Sequence, residues 1–169
     1  MILVDFQIAR LCERGLVIPY NEELVNPSSL DVRVGNTAMI DTEKGFEDYP
    51  GFFQHSKEQP YKMYPGECLL ISTLETFKFP AYICGDLKLK SSRAREGLSH
   101  ALAGWVDNEF NGVLTLELKN YSSKHHINIY PNLRIGQIIL YNTSIPNETY
   151  VNGRYAGHKS VMGSMDVVS

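Results

Sequence analysis

The chain has 169 residues, 43% of them hydrophobic, and a formal net charge of −3, which is enough for one packed domain and short for two. That balance excludes a general nucleic-acid or membrane-surface binder, whose affinity would come from clustered Lys and Arg, but leaves room for a small anionic ligand held by a few local cations. Cys12, Cys68 and Cys84 are widely spaced and odd in number, and no basic leader or long apolar run is seen, so we expect reduced thiols, no membrane partner and a cytoplasmic location.

Asp5 is placed to cap a helix over residues 6–14, with Phe6, Ala9 and Leu11 in helical spacing and Gly15 at its end. From Leu30 the period changes to two: Leu30, Val32 and Val34 alternate with Asp31 and Arg33 until Gly35-Asn36 breaks the run. Further strands are predicted over residues 37–40, 68–72, 76–79, 85–89, 112–118, 127–130 and 137–141. Many short strands separated by turn residues predict an all-β sandwich or barrel. Residues 43–61, polar and aromatic with Pro50, Gly51 and Pro60, read as a long excursion or flap. Beyond Pro146 the chain carries Gly153, Gly157 and Gly163 with little strand pattern, so residues 147–169 read as a mobile closing arm of one 1–169 domain, or as plain fraying.

The block from Lys90 to Asn120 carries the chemistry. Lys90-Ser91-Ser92-Arg93-Ala94-Arg95 follows a predicted strand and precedes Gly97, where hydroxyls, backbone amides and guanidinium forks can form a nest for phosphate oxygens. Basic turns are more often simply solvated. Ala103 to Gly112 reads as strand, turn and strand, and an exposed backbone edge there can hydrogen-bond a planar base. Asp107 at the bend can accept from a sugar hydroxyl or orient a water; stabilising the turn through its own carboxylate is an equal alternative. Val113, Thr115 and Glu117 share one face of the next strand, and Leu114, Leu116 and Leu118 the other. If the leucines face the core, Glu117 faces a cavity or solvent, and it is either a proton shuttle or a solvated glutamate. His55, His100, His125, His126 and His158 lack the spacing of a ligand set and no paired-cysteine motif accompanies them, so no zinc site is expected.

Taken together, these residues resemble the dCTP deaminase branch of the dUTPase superfamily, over most of the chain. Asn26-Pro27-Ser28-Ser29-Leu30-Asp31-Val32-Arg33-Val34-Gly35 is similar to the family's N-terminal signature, and Ser91-Ser92-x-Ala94-Arg95-x-Gly97-Leu98 to its phosphate and active-site motif. Ala103 to Glu117 resembles its base-binding hairpin and catalytic strand. Arg134-Ile135-Gly136-Gln137 and Arg154-Tyr155-Ala156-Gly157-His158 stand where the family has an Arg-Ile-Gly-Gln motif and a Lys-Tyr-x-x-Gln tail.

The resemblance implies a distorted jelly-roll β-sandwich that assembles as a homotrimer, or a higher oligomer of trimers, with active sites shared between subunits. It implies a hydrolase of nucleotide metabolism that deaminates dCTP without zinc. Glu117 would be the general base and acid; Ser91 and the Ala103 backbone would hold the water, and Arg95 would orient the site. Lys90, Ser92, Arg93, Gln137, Tyr150 and Arg154 would meet the triphosphate, with Mg2+ bridging its oxygens, and Ala94, Asp107, Thr115, Leu116 and His158 would complete the nucleotide contacts. Thr115-Leu116-Glu117-Leu118 favours deamination over a plain dUTP diphosphatase, while Ala103-Gly104-Trp105-Val106-Asp107 resembles bifunctional members that continue to dUMP. The chain departs from the pattern at Asn108-Glu109, where the family has Pro-Gly, at Lys90 for arginine, at Arg154 for lysine and at His158 for glutamine. The departures could mark a modified nucleotide substrate or a divergent activity; two alternatives stay in view, a dUTP diphosphatase, which resembles this chain around Asp107, and a catalytically silent nucleotide-binding module, suggested by the altered tail at Arg154 and His158.

Overall fold

A computed structural model describes all residues except 102, 149, 152 and 167–169. The chain opens with helix α1 (Asp5–Glu13), which buries Ile8 and Cys12, one turn apart, against the sheet. This is a different stripe from the predicted one, and Phe6 lies 58% exposed. The cap also differs: Val4 occupies the N-cap, its amide donates to Gln7 Oε1 at 3.1 Å, and Asp5 is the first helical residue. Gly15 does end the helix. At φ 94° it lets its own amide donate to Cys12 O at 2.9 Å and that of Leu16 to Leu11 O at 3.0 Å, closing the last turn.

Twelve strands follow: β1 (Val17–Ile18), β2 (Val25–Asn26), β3 (Ser29–Thr42), β4 (Gly45–Asp48), β5 (Tyr61–Met63), β6 (Cys68–Lys78), β7 (Ile83–Leu89), β8 (Leu98–His100), β9 (Trp105–Val106), β10 (Asn111–Asn120), β11 (Ile127–Ile129) and β12 (Arg134–Asn142). Ten form one curled antiparallel sheet whose path runs β8-β10-β6-β3-β12-β7-β9, and β5 pairs β11 separately. The predicted all-β class holds, yet the strands are longer than local sequence suggests.

The clearest case is β3. Gly35-Asn36 does not end the strand; it lies in a register shift of the pairing between β3 and β6, which sets Val34 opposite Thr73 and Ala38 opposite Ile71. Before the shift, Leu30 to Arg33 pair with β12, and after it Ala38 to Ile40 pair with β6. A side chain at 35 would collide with Ser72 Oγ and Thr73 O, so glycine is needed where the strand crosses so closely. This one strand joins the two halves of the sheet, and side chains from both, among them Val32, Leu69, Ile71, Ile135 and Leu140, enter one core. Each such fully buried aliphatic contributes on the order of 1.5–3 kcal/mol.

The expected flap at 43–61 is anchored. It begins as β4 on β3, and Phe52, fully buried in a short 3-10 turn (Phe52–Gln54), packs beside Tyr49, His55 and Tyr61. The three cysteines are free, and burial, followed by the Glu13 charge, pushes the Cys12 thiol up to about 12. No helix among the described residues is long and apolar enough to cross a membrane.

Candidate functional site

Strand β10 supplies the site because its two halves face differently. Its pairing with β6 slips between Val113 and Thr115, where the Leu114 amide leaves the ladder to donate to Thr73 Oγ1 at 3.0 Å. Leu116 and Leu118 remain in the core as predicted, but the bulge turns Leu114 into a cavity beside Val113, Thr115 and Glu117. That corrects the three-leucine face read from the sequence.

The cavity holds about 470 Å3. Of the residues singled out beforehand, it brings together Ala103, Asp107, Thr115, Glu117, Tyr150 and His158. Its wall is apolar, built by Phe46, Leu70, Phe110 and Met162 among others, and its charged edge is acidic; no lysine or arginine is among its described lining residues. A shape of this size, mostly apolar with a few polar groups, suits a planar uncharged base and a sugar.

The segment predicted as a base-reading hairpin is not a paired hairpin. Trp105 and Val106 in β9 pair with Asp86 and Gly85 of β7, whereas Asn111 onward pairs with β6, so the turn between them spans the two halves of the sheet. Gly104 is required there because a Cβ would strike Leu87 O, whose own residue donates its amide to Gly104 O at 2.7 Å. The turn closes through the Phe110 amide on Asp107 O at 3.3 Å, and the Asp107 carboxylate accepts from the Trp105 indole N–H at 2.9 Å. Glu109 takes φ 63°, the left-handed region in which glycine is at ease.

Glu117 has its side chain 35% exposed, with Oε2 buried and without a hydrogen-bond partner. His100, which the sequence reading set aside with the other histidines, lies 3.7 Å away through Nδ1. Its strand, β8, was not predicted, and only the cross-strand register brings it to Glu117. Phe46 also reaches the cavity, unanticipated, from β4, and Tyr155 of the tail motif reaches it from the C-terminal segment.

That C-terminal segment lies across the cavity. The Gly157 amide donates to Asn111 O at 2.6 Å, His158 O accepts from Val113 at 3.1 Å, Val161 N–H reaches Thr37 Oγ1 at 2.9 Å and Met162 N–H reaches Thr115 Oγ1 at 3.2 Å. Residues 149, 152 and 167–169 of the expected arm lie outside the described residues.

The phosphate candidates sit elsewhere. Residues 91–95 form a single helical turn, α2 (Ser91–Arg95), where a simple turn was predicted; it starts with the Arg93 and Ala94 amides on Lys90 O. None of Lys90, Ser91, Ser92, Arg93, Ala94 and Arg95 lines the cavity. The Lys90 ammonium is held by buried Asp31 at 2.6 and 2.7 Å, and Arg93 by Glu96 at 2.9 Å. Ser91, Ser92 and Arg95 are exposed, and no ion pair involving Arg95 forms among the described residues. Leu116 is buried in the core, Gln137 accepts from the Ser29 hydroxyl at 3.1 Å, and Arg154 pairs with Asp166.

A family model described as dCTP deaminase-like matches residues 2–143. A dCTP deaminase, dUMP-forming, of Corynebacterium kroppenstedtii is 37% identical over 171 residues, covering 94% of this chain and 91% of that protein. One of Aquifex aeolicus is 36% identical, with 97% and 94% covered. Among solved structures, the 2'-deoxycytidine 5'-triphosphate deaminase from Agrobacterium tumefaciens aligns with a TM-score of 0.66 at 18% identity, over 82% of this chain and 47% of that one. The EIAV dUTPase aligns at 0.50 and 16% identity, over 80% and 89%, and these two likenesses speak to the fold.

Proposed function

Because the chain belongs to the dCTP deaminase-like family, we propose that it hydrolyses dCTP to dUMP, ammonia and diphosphate, the product named for its curated relatives. The observation that carries this reading is one cavity lined by Glu117, Ala103 and Asp107 together with an apolar wall. A plain dUTP diphosphatase has no use for a strand glutamate beside the base.

In this reading the cytosine lies along the apolar wall with carbon 4 toward Glu117. The carboxylate takes a proton from water as the water oxygen bonds to carbon 4, and passes it to N3. It then takes the hydroxyl proton and delivers it to the exocyclic nitrogen; the carbon–nitrogen bond breaks, ammonia leaves and a carbonyl remains. Asp107, already a hydrogen-bond acceptor for Trp105, is placed to receive the sugar hydroxyl or to orient the second water, which attacks the phosphate chain.

The division of cations supports a site shared between copies. The cavity lining supplies Asp107 and Glu117 but no described lysine or arginine, so a triphosphate seated there needs positive charge from outside it. Exposed Ser91, Ser92 and Arg95 on α2 form a second half-site, and we assign it to the cavity of a neighbouring subunit in a homotrimer or larger assembly. Magnesium would be carried in on the phosphate oxygens of the nucleotide. That ion would neutralise phosphate charge. We further propose that the segment across the cavity is the closing arm, with Tyr150, Arg154 and His158 contributing to nucleotide contact.

Feeding dCTP and dUTP separately with magnesium, and resolving products by chromatography, tests the proposal. Ammonia with dUMP and diphosphate from dCTP is expected. Accumulated dUTP would remove the second step, diphosphate from dUTP with dCTP untouched would make the protein a dUTP diphosphatase, and two unchanged substrates would leave a silent binding module.

A further inference from the structure

Glu117 faces a buried imidazole. Strand β8 ends at His100, which lies opposite Leu118, and the next amide, Ala101 N–H, donates to Glu117 O at 3.1 Å, so the end of β8 is latched to the backbone of Glu117. His100 is 7% exposed, and its Nδ1 stands 3.7 Å from Glu117 Oε2. Neither ring nitrogen nor that oxygen has a hydrogen-bond partner among the described residues. Buried polar groups are seldom left so, because desolvating them without a partner is unfavourable.

The surroundings offer the ring little else. Beside it is a cavity of about 10 Å3 walled mainly by Leu87, Leu89, Leu116, Leu118 and Ile135. Lys88, the charged residue bordering that cavity, holds its ammonium on Asp86 at 2.7 Å. A donor and an acceptor, each buried and each unpartnered, thus adjoin at a distance somewhat longer than a hydrogen bond. Contacts of this kind tighten when a ligand fills the site.

We infer that His100 is a positioning residue for Glu117, donating Nδ1–H to Oε2 when nucleotide is bound and leaving Oε1 as the one oxygen facing the substrate. Proton pick-up from water and delivery to the base then run through a single atom held in one place. The inference rests on the deaminase reading above.

Steady-state ammonia release from dCTP with magnesium, on the full chain, tests it with two variants. His100→Leu, of similar bulk and without polar atoms, is expected to lower kcat about 100-fold, the usual consequence of misplacing a reacting group. KM for dCTP should stay within about threefold, since the lost contact is not to substrate. Its thermal midpoint should equal or exceed that of the parent, because leucine removes two buried unpartnered nitrogens. His100→Asn returns an amide N–H near the position of Nδ1 and should restore most of kcat, which a packing role alone would not produce. A kcat for His100→Leu within threefold of the parent, or equal loss in both variants, overturns the inference. Absence of ammonia from the unsubstituted protein would instead overturn the deaminase reading, and this inference with it.

Discussion

Two parts of the molecule treat buried charge in opposite ways. Along β3, fully buried Glu75 of β6 receives Arg33 Nε at 2.7 Å and the Arg33 amide at 2.9 Å, and Asp31 receives Lys90 Nζ, from the residue before α2, at 2.6 Å. Asn26 and Asn132 add further bonds, to Asp31 at 2.8 Å and from Arg33 at 3.0 Å. At the cavity, Glu117 Oε2 and both His100 nitrogens remain unpartnered, and the Glu117 side chain stays 35% exposed. Satisfied charges rigidify the seam where one strand serves both halves of the sheet. The unsatisfied Glu117 lines a cavity walled largely by hydrophobic side chains, where a ligand can reach its side chain, while His100 stands buried behind it.

The contrast is broken most directly by exchanging what each region loses. Glu117→Gln should abolish ammonia release from dCTP by about 10²–10⁴-fold, the range for removing a general acid–base, while leaving the unfolding midpoint within a degree or two. A marked loss of stability in that variant would place Glu117 with the structural charges. Arg33→Met should do the reverse. It strands the Glu75 carboxylate in the core, and removing one partner of such a pair costs about 3–5 kcal/mol, readable as a lower denaturation midpoint. Arg33→Met combined with Glu75→Leu should recover much of that loss, because the two apolar residues leave no orphaned charge.

The difference between the regions also decides what was legible in the sequence. Val113, Thr115 and Glu117 were assigned to one face by alternation alone, and all three line the cavity. Leu114 joins them because a hydroxyl on β6, Thr73, captures its amide across 41 residues of sequence, a contact no local pattern contains. Gly35-Asn36 reads as a break because glycine interrupts strands locally; β3 continues because β6 pairs with it both before and after that point, at Val34 and again from Ala38. His100 lacks the sequence spacing of a metal ligand, and no local pattern marks it. Its significance lies in the register of β8 on β10, and three residues are too few to show a strand by alternation. The motif around Ser91 was legible, but not that it stays out of the cavity lining, which depends on where α2 lies against the finished sheet.

The smallest expected effect concerns the segment across the cavity. Thr37 Oγ1 accepts from Val161 N–H at 2.9 Å and donates to Ser72 Oγ at 2.9 Å, so one hydroxyl ties the C-terminal segment to the seam strand β3. Val161 itself is buried, which gives the segment an apolar anchor as well. Thr37→Val keeps the shape and deletes the acceptor, and a hydrogen bond of this type is worth about 1 kcal/mol. The global midpoint should scarcely move, because the segment opens separately from the core. Amide exchange at Val161 should instead quicken about fivefold, which is that 1 kcal/mol expressed as an opening equilibrium. If closure of this segment is what retains the nucleotide, KM for dCTP rises by a similar factor. Unchanged exchange at Val161 would mean that the apolar anchor alone holds the arm, and the hydroxyl would then belong with the seam through Ser72 and not with the site.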